Sequence, residues 1–146
     1  LNLIWQTGKS YQKKAEQSVK EKAVKGINAY TFIEEMDLAY GAADIIISRA
    51  GAIAISELCC IGKPTILIPS PNVSEDHQTK NAQALVNAGA SRILFEKSLH
   101  AQDFFHAVMN LIHDKAELEK MSAASKNLGR PDATKEIVNH IFEAAA

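Results

Sequence analysis

The sequence predicts an α/β fold, a Rossmann-like parallel sheet with helices on both faces. Short apolar runs alternate with longer helical patterns, and glycines at positions 8, 26, 62 and 89 fall between them. A chain in which strands alternate with helices forms a parallel sheet, because each helix returns the chain to the start of the next strand. With 146 residues, 47% of them apolar, the chain is predicted to form a single domain over residues 1–146.

The strands are predicted from short apolar runs, and the helices from apolar residues spaced three and four apart. The predicted strands lie near Leu1–Thr7, Asn28–Ile33, Asp44–Ser48, Thr65–Pro69 and Ser91–Phe95. The predicted helices lie near Ser10–Val24, Asp37–Ala43, Ala52–Ile61, His77–Ala88, Ala101–His113, Ala116–Asn127 and Ala133–Ala144. Glycine ends several of these segments because, without a Cβ atom, it adopts backbone angles that other residues avoid.

Charge and composition exclude two classes of protein. The formal net charge is −1, which argues against a general nucleic-acid surface. The sequence contains neither a run of about 18 apolar residues that would span a membrane nor a secretory leader. We therefore expect a soluble protein of the cytoplasm.

Metal and cofactor sites are not expected. Cys59 and Cys60 are adjacent, so on a helix their side chains diverge by about 100° and neither share a metal nor form an unstrained bridge. We expect both to be buried as small hydrophobic residues in a reducing compartment. His106 and His113 share a helical face, but no third ligand stands at a matching spacing.

The first motif that carries chemistry is a turn of small residues between a strand and a helix. Asp44–Ile47 is an apolar strand, and Arg49–Gly51 lead from it into the helix. A helix N-terminus has unpaired N–H groups and a partial positive charge, and small side chains let a ligand approach it closely. Ligands of open α/β sheets bind at the carboxyl ends of strands, where Arg49 adds a positive charge. The pattern favours a diphosphate site; an ion pair of the arginine with Glu34 or Glu35 is the alternative.

Glu57 is the charged residue of the helix that follows this turn. The predicted helix Ala52–Ile61 is apolar on nearly all sides, so we expect most of it to be buried. Glu57 lies one turn above Ile53 and Ala54, on the face that would look towards the same ligand. A carboxylate accepts two hydrogen bonds, which suits a ribose diol. The alternative is a solvent-facing or salt-bridged glutamate.

The second motif is a polar loop that leads into another helix. A loop with Pro71 follows the strand Thr65–Pro69, and Glu75 or Asp76 is the expected helix cap. Three uncharged polar side chains then share one face near the helix N-terminus. They are His77, Gln78 and Asn81. Such donors and acceptors suit sugar hydroxyls; an ordinary capped helix start is the alternative.

Both motifs, taken with four further segments in the same order, resemble the C-terminal half of the bacterial MurG family, glycosyltransferase family 28. The further segments are Trp5–Gly8, Phe32–Met36, Gly62–Pro64 and Pro131–Thr134. The resemblance covers essentially the whole chain. It implies the donor-binding half of a GT-B fold, with UDP-N-acetylglucosamine as donor. It also implies transfer, with inversion, to a lipid-linked acceptor in peptidoglycan biosynthesis, at the cytoplasmic face of the inner membrane.

The resemblance also implies a role for individual residues. Backbone groups of Ile33 would read the uracil edge, and Glu57 would hold the ribose hydroxyls. Arg49 would stabilise the leaving diphosphate. Residues of the helix start would contact the sugar and the phosphates, and three residues of the second motif would approach the donor sugar. These two sets are Gly51, Ala52, Ile53 and Ala54, and His77, Gln78 and Asn81.

Members of this family carry two parts that this sequence lacks. One is an N-terminal domain that binds the acceptor, and the other is a first strand with a glycine-rich loop. The chain therefore resembles a piece of a larger enzyme and is expected to be inactive alone. Without that strand, two strands would lie on one side and three on the other, with unpaired edges. We expect that the sheet closes up, that chains associate through the edges, or that the chain is marginally stable.

Two other functions fit the same residues. The chain would also suit a donor-binding subunit of a two-chain UDP-sugar transferase that relies on a membrane partner. A sugar-nucleotide epimerase of the same GT-B fold is the other alternative, although it would need its own acid–base carboxylates and histidine.

Overall fold

The computed structural model describes residues 1–23, 25–71 and 76–145. Contacts within the chain divide it into two compact units, Leu1–Ala42 and Ala43–Ala146. The described strands form two parallel sheets, one in each unit, and helices accompany both. The predicted α/β class is confirmed.

The first unit contains two strands and two helices. They are β1 (Leu3–Gln6), α1 (Gln12–Lys22), β2 (Ile27–Tyr30) and α2 (Met36–Ala42). Strands β1 and β2 pair in parallel, from Leu3 opposite Ile27 to Gln6 opposite Tyr30. Helix α1 is followed by its C-cap, Ala23, which adopts a left-handed conformation with φ of 47°. The predicted end of this helix, Val24, lies outside the described residues.

The second unit contains three strands and five α-helices among the described residues. They are β3 (Ile46–Ser48), α3 (Ala52–Ile61), β4 (Thr65–Leu67), α4 (His77–Asn87), β5 (Ser91–Ile93), α5 (Ala101–Ile112), α6 (Lys115–Leu128) and α7 (Ala133–Ala144). A short 3-10 helix, Glu96–Ser98, follows β5. The strands pair in the order β3-β4-β5, with Ser48 opposite Leu67 and Leu67 opposite Ile93. Their carboxyl ends therefore finish level with one another, and we call this the carboxyl edge.

The core of the second unit lies beneath the central strand. Ile66 of β4, Leu111 of α5 and Met121 of α6 are almost completely buried and pack together. Helix α6 also packs against α3 and α5. The turn between β3 and α3 therefore joins a strand and a helix that both belong to this packed unit.

The described strands form one two-stranded sheet and one three-stranded sheet, the numbers that the resemblance implies. The expectation that the sheet closes up concerns both units together and stays a prediction. Association of chains through the sheet edges and marginal stability stay predictions, as does the single domain.

Helix α3 is less buried than its composition predicts. Only Leu58 and Cys59 are buried, whereas Ile53 is 79% exposed and Cys60 is also exposed. The expectations of a mostly buried helix and of a buried Cys60 are therefore wrong. Helix α3 packs mainly against α6 and, to a smaller extent, α4, and Ile53 and Cys60 are left exposed.

The cap of α4 also differs from the prediction. Asp76 occupies the N-cap position, but with φ of 55° its side chain makes no capping hydrogen bond. A cap needs extended backbone angles to direct its side-chain oxygen at the helix N–H groups, and a left-handed residue does not provide them. The alternative cap, Glu75, lies outside the described residues.

Candidate functional site

Three loops meet at the carboxyl edge of the second unit. They follow β3, β4 and β5, and backbone bonds fix their first residues. Ile68 N–H donates to the Ser48 carbonyl and Leu94 N–H donates to the Leu67 carbonyl, both at 2.9 Å. The turn after β3, Arg49–Gly51, is thus held beside the loop after β4.

Arg49 extends its side chain across this edge. Its Nη1 donates to the carbonyls of Ile68 at 3.1 Å and Pro69 at 3.4 Å, and lies 2.5 Å from Glu96 Oε2. The ion pair that the alternative interpretation expects for Arg49 is made, within the second unit, with Glu96. Because the side chains of Arg49 and Glu96 are 52% and 46% exposed, water screens the pair and its contribution to stability is small.

The N-terminus of α3 is open. Gly51 is its N-cap and supplies no side-chain acceptor, so the N–H groups of Ala52, Ile53 and Ala54 have no partner within the helix. A Cβ atom added to Gly51 would meet no described atom within 4 Å. Unpaired N–H groups, the positive end of the helix dipole and free space together form a place where an anion can bind.

Gln78 and Asn81 of α4 both contact the turn after β3. The Oε1 atom of Gln78 accepts hydrogen bonds from Ser70 N–H at 2.9 Å and Ala50 N–H at 3.3 Å. The Nδ2 atom of Asn81 donates to the Ala50 carbonyl at 3.1 Å. The structure therefore brings together Arg49, Gly51, Gln78 and Asn81.

Glu57 and His77 lie at the surface of the second unit. Glu57 follows Ile53 by one turn of α3, and both side chains are exposed, as the predicted shared face requires. Within the described residues, Glu57 forms none of the ion pairs found. His77 is the first residue of α4 and is exposed.

Ile33 belongs to the first unit, where it follows strand β2. Its N–H donates to Gln6 Oε1 at 2.8 Å, so a side chain of β1 holds the turn after β2. One of the Ile33 backbone groups expected to read a uracil edge, the N–H, is thus bonded to Gln6 in this structure. The role of Ile33 stays a prediction.

Ionisable groups of the second unit include one with a shifted pKa. Burial raises the pKa of the Cys59 thiol above its ordinary value of 9.0, and the neighbouring Cys60 raises it further. A hydrogen bond with Ser125 acts in the opposite direction. Cys59 is therefore a neutral thiol at physiological pH and a poor nucleophile.

The described residues contain no group of three or more His, Cys, Asp or Glu side chains placed to hold a metal ion. The helices described in the structure are all too short or too polar to cross a membrane.

Glu96 is the residue of this edge that the sequence analysis did not identify. It follows the end of β5 by three residues, and Arg49 follows the end of β3 by one. Because parallel strands finish at the same edge, an acidic residue just beyond one strand and a basic residue just beyond another are candidates for a pair. That signal was present in the sequence, although the separation of 47 residues hid it.

Comparison with known proteins gives a consistent result. The model of the family "Glycosyltransferase family 28 C-terminal domain" matches residues 1–137. A relative from Flavobacterium psychrophilum is 46% identical over 143 residues, covering 98% of this chain and 38% of its own length. A relative from Porphyromonas gingivalis is also 46% identical over 143 residues, covering 97% of this chain and 37% of its own length. Both carry the name UDP-N-acetylglucosamine–N-acetylmuramyl-(pentapeptide) pyrophosphoryl-undecaprenol N-acetylglucosamine transferase.

Solved structures show the same similarity. The crystal structure of Acinetobacter baumannii MurG matches 98% of this chain with a TM-score of 0.85 and 30% identity, over 41% of its own chain. The glycotransferase of kitacinnamycin matches 94% of this chain at 20% identity and a TM-score of 0.67, which shows a shared fold alone. The chain spans about two fifths of the length of the curated relatives it matches.

Proposed function

Because the chain belongs to the family of glycosyltransferase family 28 C-terminal domains, we propose that it binds UDP-N-acetylglucosamine as the donor part of an N-acetylglucosaminyltransferase. The names of the relatives supply both the donor and the acceptor, a muramyl pentapeptide on pyrophosphoryl-undecaprenol. Since the chain spans only part of those relatives, the activity of the whole enzyme is part of the proposal.

The open N-terminus of α3 is the observation that carries the proposal. Its first N–H groups are unpaired, its cap is a glycine, and the space beside Gly51 is free of described atoms. In this arrangement a diphosphate accepts hydrogen bonds from the backbone and meets the positive end of the dipole. The dipole contributes roughly 0.3–2 kcal/mol to such binding.

Arg49 is the second contributor to phosphate binding in this proposal. Its three contacts in the second unit are all made by Nη1. The N–H groups of Nη2 and Nε are thus the donors that Arg49 offers to phosphate oxygens, while the Glu96 contact holds the guanidinium at the edge. Loss of one well-placed donor to a developing negative charge costs about 3–4 kcal/mol by analogy with oxyanion holes.

Glu57 is assigned to the ribose hydroxyls. It is exposed one turn above Ile53, and the exposed Ala52 and half-buried Ala54 lie beside it at the helix start. A carboxylate that has no ion-pair partner among the described residues keeps both oxygens available for a diol. Ile33, in the first unit, is assigned to the uracil through its backbone.

The chemistry of the proposed reaction is a single displacement. The acceptor hydroxyl attacks the anomeric carbon, the bond to UDP breaks, and the sugar is transferred with inversion. The residues of this chain stabilise the charge that develops on the leaving diphosphate. Because the acceptor named for the relatives carries a lipid chain, we place the reaction at a membrane surface. The cytoplasmic face, which the resemblance implies, is kept as part of the proposal.

Titration calorimetry on the 146-residue chain tests the donor site. We expect UDP and UDP-N-acetylglucosamine to bind more tightly than ADP, because the base is read as well as the diphosphate. Glu57→Ala should weaken UDP binding by about tenfold, or about 1.4 kcal/mol. The matched control is Glu119→Ala, an exposed glutamate of α6 whose removal should leave the affinity unchanged. Equal affinities for UDP and ADP, or wild-type affinity in Glu57→Ala, would contradict the proposal.

Turnover tests Arg49 in a longer enzyme that joins this chain to an acceptor-binding part. Arg49→Ala should lower kcat by about a hundredfold or more, in line with a loss of about 3 kcal/mol. Arg49→Lys keeps the charge but not the planar set of donors, so its kcat should lie between those of the wild type and Arg49→Ala. A near-normal rate in Arg49→Ala would reduce the arginine to an ion-pair partner of Glu96.

A further inference from the structure

The backbone of Ala50 is bonded to side chains rather than to a neighbouring strand. Ala50 is completely buried, with 0% of its surface exposed, so its N–H and carbonyl groups must find partners inside the protein. Among the described residues, those partners are Gln78 Oε1 for the N–H and Asn81 Nδ2 for the carbonyl. Two side chains from α4 thus form the hydrogen bonds with the Ala50 backbone that a neighbouring strand forms within a sheet.

The chemistry of the two amides fixes how each one is oriented. Gln78 receives two N–H donors, from Ala50 and from Ser70, and only its oxygen accepts hydrogen bonds. Asn81 faces a carbonyl oxygen, and only its nitrogen donates. What remains on Gln78 is therefore a donor, the Nε2 group, and what remains on Asn81 is the Oδ1 acceptor and the second N–H of Nδ2.

We propose that Gln78 and Asn81 are positioning residues, which act by clamping Ala50 and thereby set the turn between β3 and α3. The residues on either side of Ala50 are Arg49 and Gly51, the two that the proposed function places at the diphosphate. The inference rests on that function for its ligand, but the clamp itself rests on the hydrogen bonds. It differs from the role that the resemblance implies, which is contact with the donor sugar alone.

The clamp has a second consequence for ligand recognition. Gln78 Oε1 already accepts two backbone hydrogen bonds, and Asn81 Nδ2 uses one of its two N–H groups. A ligand therefore meets Gln78 Nε2 and the second Asn81 N–H as donors, and Asn81 Oδ1 as an acceptor. The pair therefore offers donors from both residues and one acceptor, and a ligand that offers both an acceptor oxygen and a hydroxyl donor fits it.

A pair of matched substitutions separates the clamp from general effects of polarity and charge. Gln78→Glu and Asn81→Asp each exchange an amide for a carboxylate of nearly the same size and add one negative charge. The first keeps an oxygen acceptor for Ala50 and Ser70, whereas the second sets a carboxylate oxygen against the Ala50 carbonyl. Gln83→Glu, at an exposed position of α4, adds the same charge without touching Ala50 and is the charge control.

Site-resolved amide hydrogen exchange on the 146-residue chain is the first readout. The Ala50 and Ser70 N–H groups should exchange about tenfold faster in Gln78→Ala than in the wild type, because each loses its acceptor. Gln78→Glu should restore slow exchange, and Gln83→Glu should leave it unchanged. Asn81→Asp should lower the thermal midpoint, whereas Gln78→Glu should not. Unchanged exchange at Ala50 in Gln78→Ala, or fast exchange in Gln78→Glu, would overturn the clamp.

Ligand affinity is the second readout and distinguishes positioning from direct sugar contact. If Gln78 sets the diphosphate turn, Gln78→Ala should weaken UDP and UDP-N-acetylglucosamine by the same factor, about fivefold to tenfold. If only UDP-N-acetylglucosamine is weakened, Gln78 is a sugar contact and the positioning role is wrong. Absence of UDP binding in the wild-type chain would count against the proposed function, while the exchange result would still decide the clamp.

Discussion

Gly51→Ala separates a glycine that the fold needs from a glycine that a ligand needs. Gly51 has φ of −69° and ψ of 149°, which any L-residue adopts, and its added Cβ would meet no described atom within 4 Å. Alanine should therefore fit the folded chain without strain. If phosphates approach the first turn of α3, however, the new methyl group stands in their way.

The expected change in stability is small because two effects oppose each other. Replacing glycine by alanine reduces the entropy of the unfolded chain and stabilises by about 0.4–1 kcal/mol. Alanine is a poorer N-cap than glycine, which costs a similar amount, roughly 0.5–1 kcal/mol. The net change should stay within about 1 kcal/mol, so Tm should move by no more than about 4 °C.

Gly129→Ala is the matched control for this substitution. Gly129 has almost the same backbone angles, φ of −66° and ψ of 143°, so neither glycine is required for its conformation. Its Cβ, however, would lie 2.8 Å from the Cys59 carbonyl oxygen and 3.2 Å from Cys60 Cα, backbone atoms that cannot move aside alone. We expect this variant to lose about 1–3 kcal/mol of unfolding free energy.

Urea denaturation and titration calorimetry with UDP measure the two effects. Gly51→Ala should keep its stability and lose about tenfold in UDP affinity, which corresponds to about 1.4 kcal/mol. A loss of more than about 2 kcal/mol in stability would mean that the turn is tightly packed and not open. Wild-type affinity in a stable Gly51→Ala would mean that the phosphates bind elsewhere.

Glu96→Gln should lower the unfolding free energy by only about 0.2–1 kcal/mol, since the pair with Arg49 is half exposed, and a larger loss in urea denaturation would contradict that screening. Ile66→Ala should cost about 2–5 kcal/mol in the same assay, because Ile66 is 0% exposed at the centre of the sheet, and a smaller cost would argue against a packed core there. Iodoacetamide at neutral pH should modify exposed Cys60 well before Cys59, as mass spectrometry of peptides would report, and the reverse order would refute the assigned burial. The folded state raises the pKa of the Cys59 thiol above 9.0. The contribution of the neutral thiol to stability is therefore present below that pH and is lost as the pH rises above it. Cys59→Ala should remove this loss from a plot of unfolding free energy against pH.

Helices were the elements that the sequence predicted best. The predicted bounds of α3, Ala52–Ile61, and of α7, Ala133–Ala144, agree with the structure. Helix signals are local, since the spacing of apolar residues and the residues at each end lie within the same short segment. The strands were predicted too long: the run Thr65–Pro69 yields β4 over Thr65–Leu67, because a strand is defined by its partners as well as by its own residues.

The site was predicted in part for the same reason. The turn after β3 and the helix start that follows it are contiguous in the sequence, so their small residues and their N–H groups were visible there. The residues that form hydrogen bonds with that turn were not visible in this way, because they lie far from it along the sequence. Gln78 and Asn81 were predicted to be polar groups near a ligand, and only the tertiary structure shows that they bond to Ala50.

By itself, the sequence determined the α/β class, the order of the elements and the family, because periodicity, caps and contiguous motifs are properties of neighbouring residues. Only the tertiary structure decided that Arg49 pairs with Glu96, that one side of α3 is exposed, and that α4 clamps the turn after β3. Burial and the pairing of charges depend on which residues, distant along the chain, the fold brings together, and no local pattern encodes that choice.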